Sequence, residues 1–135
     1  MSPRKKQCNA VRHRITKSRR DSVYTKDGYA CVFCASRGPL SLDHVVAVKE
    51  LIGTVPVMLI NHEVNLVTAC FKCNGERVSG SSRRLRYGRF MGHEEHFASY
   101  HKRTIMTLKA LQESVPLQQE AARAAWLESN KMVSA

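Results

Sequence analysis

The sequence predicts a small α+β domain in which a ββα unit is stabilised by a four-cysteine metal site and flanked by helices. Two C-x-x-C pairs enclose a loop of 35 residues: Cys31 with Cys34, and Cys70 with Cys73. This loop is longer than the gap of a minimal metal-binding ribbon, so a structural unit has to form inside it. Short valine-rich runs at 42–48 and 64–67 predict its two strands. Residues 71–78 predict the helix that follows.

The size and charge of the chain limit what it can be. It has 135 residues, enough for one small domain with extensions. Lys and Arg number 22 against 11 Asp and Glu, a formal net charge of +11. Such an excess predicts a polyanionic partner, although charge alone does not separate DNA from RNA or from an acidic lipid surface.

Three regions are expected along the chain. Residues 1–20 carry no acidic residue and predict a loose basic arm, because like charges repel one another. Residues 21–80 form the predicted core, and 81–135 a basic linker followed by helices. A short helix is expected over 17–26, with Asp27-Gly28 as its stop.

The C-terminal region predicts two helices. Phe97, Tyr100, Thr104, Leu108 and Leu111 recur at steps of three or four, as on one face of an amphipathic helix. Val115-Pro116 is expected to interrupt it, since proline disfavours helix in the residue before it. A final helix is expected beyond that point.

Hydropathy excludes a membrane protein at the level of the sequence. No run approaches the roughly 18 consecutive apolar residues of a membrane span; the longest apolar-rich run, 51–60, is broken by Gly53, Thr54 and Pro56. The basic N-terminus has no apolar core after it, so it does not resemble a secretory signal. We therefore expect a cytoplasmic, reducing location. Residues 51–60 are expected to pack on the C-terminal helices; the alternative is a partner surface.

The four paired cysteines predict structural zinc. Two C-x-x-C turns can complete a tetrahedron of thiolates, which leaves no open position for water. Structural zinc contributes roughly 10 to 16 kcal/mol in finger peptides, whereas so small a core supplies about 3 to 5 kcal/mol. A thioredoxin-like redox pair or unrelated buried cysteines are the alternatives. Cys8 is expected to be a free thiol in the arm.

Further motifs lie between and just after the two cysteine pairs. The full order along the chain is C-x-x-C, Asp43-His44, Asn65-Leu66, and C-x-x-C followed by Asn74. Each motif alone is weak evidence. Together, over about residues 24–80, they resemble the HNH endonuclease family, the ββα-metal nucleases with a treble-clef-like core. The resemblance is to the branch with a four-cysteine zinc site, which includes many phage-encoded members.

That resemblance implies an enzyme that hydrolyses phosphodiester bonds of double-stranded DNA. His44 would activate water, Asn65 would take the middle position of the motif, and Asp43 with Asn74 would bind a catalytic divalent ion. That ion would be Mg²⁺, or another such as Mn²⁺ or Ni²⁺. Each site would nick one strand and leave 5′-phosphate and 3′-hydroxyl ends. A phage-encoded member would act in the bacterial host cell.

The residue types suit this chemistry. Histidine has an unperturbed pKa near 6.5 and can accept a proton at neutral pH, and Mg²⁺ needs only one or two protein oxygens besides water and phosphate. Adjacent residues of a regular strand face opposite sides, so a bulge or a strand end is expected at Asp43 and His44. Asn65 is expected to bond backbone across the hairpin and fix the loop that carries His44.

Non-catalytic interpretations remain for these residues. His44 could be a surface or capping histidine, Asn74 could cap the helix after Cys73, and Asn65 could simply close a turn. Arg77 stands where the family commonly has a basic residue, and could hold a phosphate.

Two basic clusters flank the core and are expected to bind phosphates on either side of the scissile one, without reading bases. A merely solvated basic tail is the alternative. The expected nucleic-acid-binding residues, together with Arg77, are Arg4, Lys5, Lys6, Arg12, Arg14, Lys17, Arg19, Arg20, Arg83, Arg84, Arg86 and Arg89.

Two rival functions stay open. One is a zinc-stabilised DNA-binding or adaptor module without strong nuclease activity of its own, for example a phage protein associated with DNA packaging. The other is an RNA-directed enzyme of the same fold. A homodimer or a packaging-machinery partner is compatible with either the enzyme or the module.

Overall fold

The computed structural model describes residues 2–76, 83–90, 92 and 95–131. It is a mixed α+β protein with a two-stranded sheet, as expected. Its elements, in chain order, are α1 (Pro3–His13), α2 (Lys17–Lys26), β1 (Leu40–His44), α3 (Val48–Leu51), α4 (Val57–Ile60), β2 (Leu66–Cys70), α5 (Phe71–Glu76) and α6 (Phe97–Lys131). Two 3-10 turns lie at Glu63–Asn65 and Gly88–Phe90.

The predicted hairpin and helix are present. β1 and β2 pair antiparallel, from Leu40 opposite Cys70 to His44 opposite Leu66. The backbone N–H of Val45 donates to the carbonyl of Asn65 at 2.8 Å, which continues the pairing one step beyond the strands. Helix α5 follows β2 directly and packs on both strands.

One hydrophobic cluster joins the sheet to the start of α6. It contains the buried cysteines Cys31, Cys70 and Cys73 together with Phe33 and Phe97. The rings of Phe33 and Phe97 lie 5.5 Å apart, centroid to centroid. Helix α6 therefore packs against the region that carries the cysteines.

A second hydrophobic cluster joins the apolar segment to both ends of the chain. Leu51 of α3 and Ile60 of α4 pack with Leu108 of α6, as expected, and also with Cys8 and Val11 of α1. Burial of these side chains in an apolar environment stabilises the fold. Leu51, Leu59 and Ile60 of the segment 51–60 therefore belong to the protein's own core, whereas Met58 is 71% exposed.

The N-terminal region corrects the expectation of a loose arm. Residues 3–13 form α1, and Cys8 in it is 5% exposed. The Ser2 hydroxyl accepts from the N–H of Lys5 at 3.2 Å, and Pro3 occupies the first helical turn, both favourable at a helix N-terminus. Packing of one apolar face outweighs the repulsion between basic side chains that extend into water.

Helix α2 has the predicted bounds, 17–26. Its N-cap is Thr16, whose hydroxyl accepts from the N–H of Arg19 at 3.1 Å. Asp27 ends the helix, and Gly28 follows with φ of 71°, a conformation that glycine adopts without steric cost.

The C-terminal region corrects the expectation of two helices. α6 runs without interruption for 35 residues and contains Pro116. Proline removes one helical hydrogen bond, but strong helix formers such as Ala121 and Ala124 follow it and continue the helix. The part after Pro116 is exposed to solvent. Among the described helices, none has both the length and the apolar character that a membrane crossing requires.

Candidate metal centre and basic cleft

The four paired cysteines converge on one point. Their sulfur atoms all lie within 4.8 Å of one another, and those of Cys34 and Cys70 are 3.7 Å apart. Sulfur atoms bound at about 2.3 Å to one tetrahedral zinc lie about 3.8 Å from each other. The cluster therefore fits a zinc-sized cation, and the meeting of both C-x-x-C pairs disfavours an isolated redox pair.

A backbone hydrogen bond and burial shift the pKa values of two of the thiols in opposite directions. The N–H of Cys73 donates to the sulfur of Cys70 at 3.4 Å, and this bond lowers the pKa of Cys70 to about 7. Burial raises the pKa of Cys73 to about 12. Four thiolates this close repel one another strongly, and a bound divalent cation would offset that repulsion.

Arg83 supports the cluster. Its guanidinium donates to the carbonyl of Cys73 at 3.1 Å and lies 3.6 Å from the Cys73 sulfur. The same group lies over the ring of Phe33, 5.3 Å from its centroid, a favourable cation–π distance. A cation bound by cysteines would therefore have a positively charged neighbour, and Arg83 is held to the metal centre rather than extended into solvent.

Asp43 and His44 are the last two residues of β1, and both are buried, 4% and 8% exposed. Asp43 pairs with Val67 and His44 with Leu66 without an extra residue between them. The expected bulge is therefore not found in this described strand pair, and a strand end occurs instead. By the alternation of a strand, Asp43 shares a face with Ser41.

Asn74 of α5 is tied to β1. Its Nδ2 donates to the hydroxyl of Ser41 at 2.9 Å and to the carbonyl of Leu42 at 3.2 Å. Both bonds use the amide nitrogen, so Oδ1 is the atom suited to a cation. Asp43 and Asn74 thus supply oxygen donors near the same face of β1, the donor type that Mg²⁺ prefers.

Asn65 makes the hydrogen bonds expected of it. It is fully buried. Its Oδ1 accepts from the N–H of Val46 at 2.8 Å, and its Nδ2 donates to the carbonyls of Val46 at 3.1 Å and Ile60 at 2.9 Å. This side chain therefore holds the loop after β1 against the segment that leads into β2.

Asn61 is a site residue that the sequence interpretation missed. The Nε2 of His44 lies 2.8 Å from Oδ1 of Asn61, and Nδ2 of Asn61 donates to the carbonyl of Val11 at 2.8 Å. Asn61 follows an apolar run and belongs to no recognisable motif. Only the packing of α1 and α4 beside β1 brings it to His44.

A basic cleft opens beside His44. It has a volume of about 510 Å³ and carries two arginines, Arg12 and Arg20, on its wall. Its described lining is Arg12, Ile15, Arg20, Tyr24, Leu40, Ser41, Leu42, His44 and Phe71. A smaller pocket between α2 and α4 adds Arg14 and Arg19. Two of the arginines expected to bind phosphate therefore line the cleft with His44, and two line the smaller pocket with Asn61.

Comparison of the chain with protein-family models, curated proteins and solved structures finds no match. What the site does must therefore be inferred from its own residues. Among the described residues, the four cysteines form the one group of three or more His, Cys, Asp and Glu side chains that could hold a metal. A second cation at Asp43 would have to take most of its ligands from water and substrate.

The second basic cluster is only partly available to a ligand. Arg84 and Arg86 are exposed. Arg89 is half-buried and donates to the carbonyl of Leu66 at 2.7 Å, and its Nε lies 3.5 Å from Oδ1 of Asp27, an ion pair rather than a hydrogen bond. The expectation that Arg89 binds phosphate is corrected, because a buried carboxylate needs this guanidinium. Arg77 lies outside the described residues.

The remaining basic residues lie on α1 and α2. Arg4 donates to the carbonyl of Lys49, and Lys17 pairs with Asp21 at 3.0 Å. Lys5 and Lys6 are exposed on α1. The N-terminal helices thus present a charged surface that continues from the cleft.

Proposed function

We propose that this protein is a divalent-metal-dependent endonuclease of the HNH type that hydrolyses phosphodiester bonds of DNA. The observation that carries the proposal is the position of His44. Its imidazole lies at the end of a hairpin joined to the four-cysteine centre and lines a cleft that also holds Arg12 and Arg20. A base beside paired cationic groups suits hydrolysis of a phosphodiester.

The chain's own residues divide the work. His44 accepts a proton from the attacking water, a contribution of about 100- to 10,000-fold for a well-placed base. Arg12 and Arg20 hold phosphates of the strand in the cleft. Asp43 and the amide oxygen of Asn74 would hold the catalytic cation, which supplies stabilisation of charge on the phosphate and on the leaving oxygen.

The cysteine centre has a structural part in this proposal. Four thiolates would occupy all four coordination positions of a tetrahedral zinc ion, so that ion has no open position for water or substrate. Cys70 ends β2 and Cys73 lies in α5, so the zinc would hold the helix that carries Asn74 against the hairpin. Its loss would remove the scaffold rather than a chemical step.

The preferred substrate is double-stranded DNA, as the family resemblance implies; basic residues on α1 and α2 extend the charged surface beyond the cleft and would bind its phosphates. One site of this kind cuts one strand and leaves a 5′-phosphate and a 3′-hydroxyl. A cut through both strands would need two copies of the chain or two successive events.

A plasmid-nicking assay tests the proposal. Purified zinc-loaded protein is incubated with supercoiled plasmid in Mg²⁺, Mn²⁺, Ni²⁺ or EDTA. We expect conversion to the relaxed form in at least one divalent ion and none in EDTA. His44→Ala should lower the rate at least about 100-fold, with zinc content and DNA affinity unchanged.

Two controls decide between the enzyme and its rivals. His96→Ala changes a histidine that is exposed on the surface and should cut at the wild-type rate. Cleavage of a matched RNA in preference to DNA would contradict the DNA substrate. Tight DNA binding without cleavage in any ion would leave the zinc-stabilised binding module as the function.

A further inference from the structure

We infer that Asn61 is a positioning residue that sets the tautomer of His44, so that the imidazole accepts the proton through Nδ1. The inference rests on the proposed function for its consequence in catalysis. The hydrogen bonds themselves do not depend on that function. It assigns a role to a residue outside the motifs that carry the family resemblance.

The orientation of the Asn61 amide follows from its neighbour on α1. Nδ2 lies 2.8 Å from the carbonyl oxygen of Val11. A carbonyl oxygen only accepts hydrogen bonds, so the group facing it has to be the NH₂ of the amide. The amide oxygen must then face the opposite direction, toward His44. Asn61 is 8% exposed, so water competes little for either bond.

The protonation of His44 follows from the orientation of Asn61. Oδ1 lies 2.8 Å from Nε2 of the imidazole and only accepts. Nε2 must therefore carry the hydrogen. In a neutral imidazole the other nitrogen, Nδ1, then carries the lone pair and is the atom that accepts a proton.

The two ends of this chain of bonds are firmly held. Val11 lies in the last turn of α1, its side chain is buried in the second cluster, and its carbonyl also accepts from the N–H of Arg14 at 3.1 Å. The N–H of Asn61 donates to the carbonyl of Val57 at 3.0 Å at the end of α4. Helix α1 is therefore linked to the proposed base through the side chain of Asn61.

The tautomer can be measured without any nuclease assay. In ¹⁵N-labelled, zinc-loaded protein, the ring nitrogens of His44 are assigned by comparison with the spectrum of His44→Ala. The wild type should show one tautomer with hydrogen on Nε2. Asn61→Leu, similar in size but unable to hydrogen-bond, should shift both ring signals toward the averaged values of exchanging tautomers.

Kinetics test the consequence for catalysis. Asn61→Leu should lower kcat about 10- to 100-fold, the usual effect of losing an orienting partner, with little change in KM. Asn61→Asp keeps an acceptor for Nε2 but sets an oxygen against the carbonyl of Val11, so it should keep the hydrogen on Nε2 and lose stability. Leu108→Ala weakens the same hydrophobic cluster but leaves the Asn61 side chain in place, and should keep the wild-type kcat at temperatures where it is folded.

The outcomes separate the two proposals. Hydrogen on Nδ1 in the wild type, or wild-type ring signals in folded Asn61→Leu, would overturn the positioning role. An equal loss of kcat in Leu108→Ala and Asn61→Leu would also overturn it, as an effect of stability. If the wild type cuts no nucleic acid, the proposed function fails, and the ring signals still decide whether Asn61 sets the tautomer.

Discussion

Individual buried polar residues hold the backbone around the hairpin. Asn65 bonds to Val46 and Ile60, and the carboxylate of Asp27 accepts from the N–H of Thr68 at 2.8 Å. A buried polar group without a partner costs about 1 to 3 kcal/mol. Each of these residues therefore selects one arrangement of the chain segments that it touches.

At this scale, Arg89→Ala should destabilise the protein by about 3 kcal/mol, because it leaves the Asp27 carboxylate buried without its cation. The side chain of Asp27 is 1% exposed. Urea unfolding of the zinc-loaded protein measures the change. Arg86→Ala, at an exposed position in the same cluster, should change stability by no more than about 0.5 kcal/mol. Equal effects of the two variants would contradict a structural role for Arg89.

Helices α1 and α2 have two roles as elements. Their apolar faces contribute Cys8, Val11 and Val23 to the interior, and their basic faces carry the arginines of the cleft. One helix can bury apolar side chains and expose basic ones, because a period of 3.6 residues per turn places the two kinds of side chain on different faces. The proposed DNA surface is consequently part of the folded unit.

Removal of the cleft arginines should change the salt dependence of DNA binding. Each phosphate contact contributes about 0.9 to the slope of log K against log salt, so Arg12→Ala with Arg20→Ala should reduce the slope by about 1.8. Fluorescence anisotropy with a short duplex over a series of salt concentrations measures it. Arg123→Ala, on the exposed end of α6, is the control and should keep the wild-type slope. An unchanged slope in the double variant would mean that DNA binds outside the cleft.

The described structure is organised as two hydrophobic clusters that both include residues of α6, Phe97 and Tyr100 in the first and Leu108 in the second. One contains the cysteine centre and the other packs α1, α3 and α4. The proposed base lies where they meet, since His44 ends β1 and bonds to Asn61 at the end of α4. Both clusters therefore pack beside the residues that form the cleft.

At the scale of the whole molecule, removal of zinc should unfold the part of the chain that carries the four cysteines. The affinity for zinc should also rise with pH. Thiols must lose protons to bind zinc. With the pKa of Cys73 raised to about 12, binding releases at least one proton at neutral pH, so affinity should increase at least about 10-fold per pH unit. Below about pH 7 the dependence should steepen, because Cys70, with its pKa of about 7, is then also protonated.

Competition with a chelator between pH 6 and 8, followed by circular dichroism, measures both effects. Leu117→Ala, on the exposed part of α6, should bind zinc like the wild type. A pH-independent affinity, or a native spectrum after complete removal of the metal, would contradict the proposed dependence on zinc.

The sequence by itself determined the parts that depend on local spacing. Two C-x-x-C turns, a valine-rich hairpin, the helix 17–26 and the bonding role of Asn65 follow from residues near one another or from motifs with few geometric solutions. The excess of positive charge also follows from the sequence. These features needed no knowledge of how distant segments pack.

Only the tertiary structure decided the rest. α1 is ordered because Cys8 and Val11 find partners on α3, α4 and α6, α6 continues through Pro116, and Asn61 meets both His44 and Val11. Asp27 and Arg89, 62 positions apart, form an ion pair. Contacts of this kind leave no local pattern, because they depend on which surfaces become buried together, and burial is a property of the whole chain.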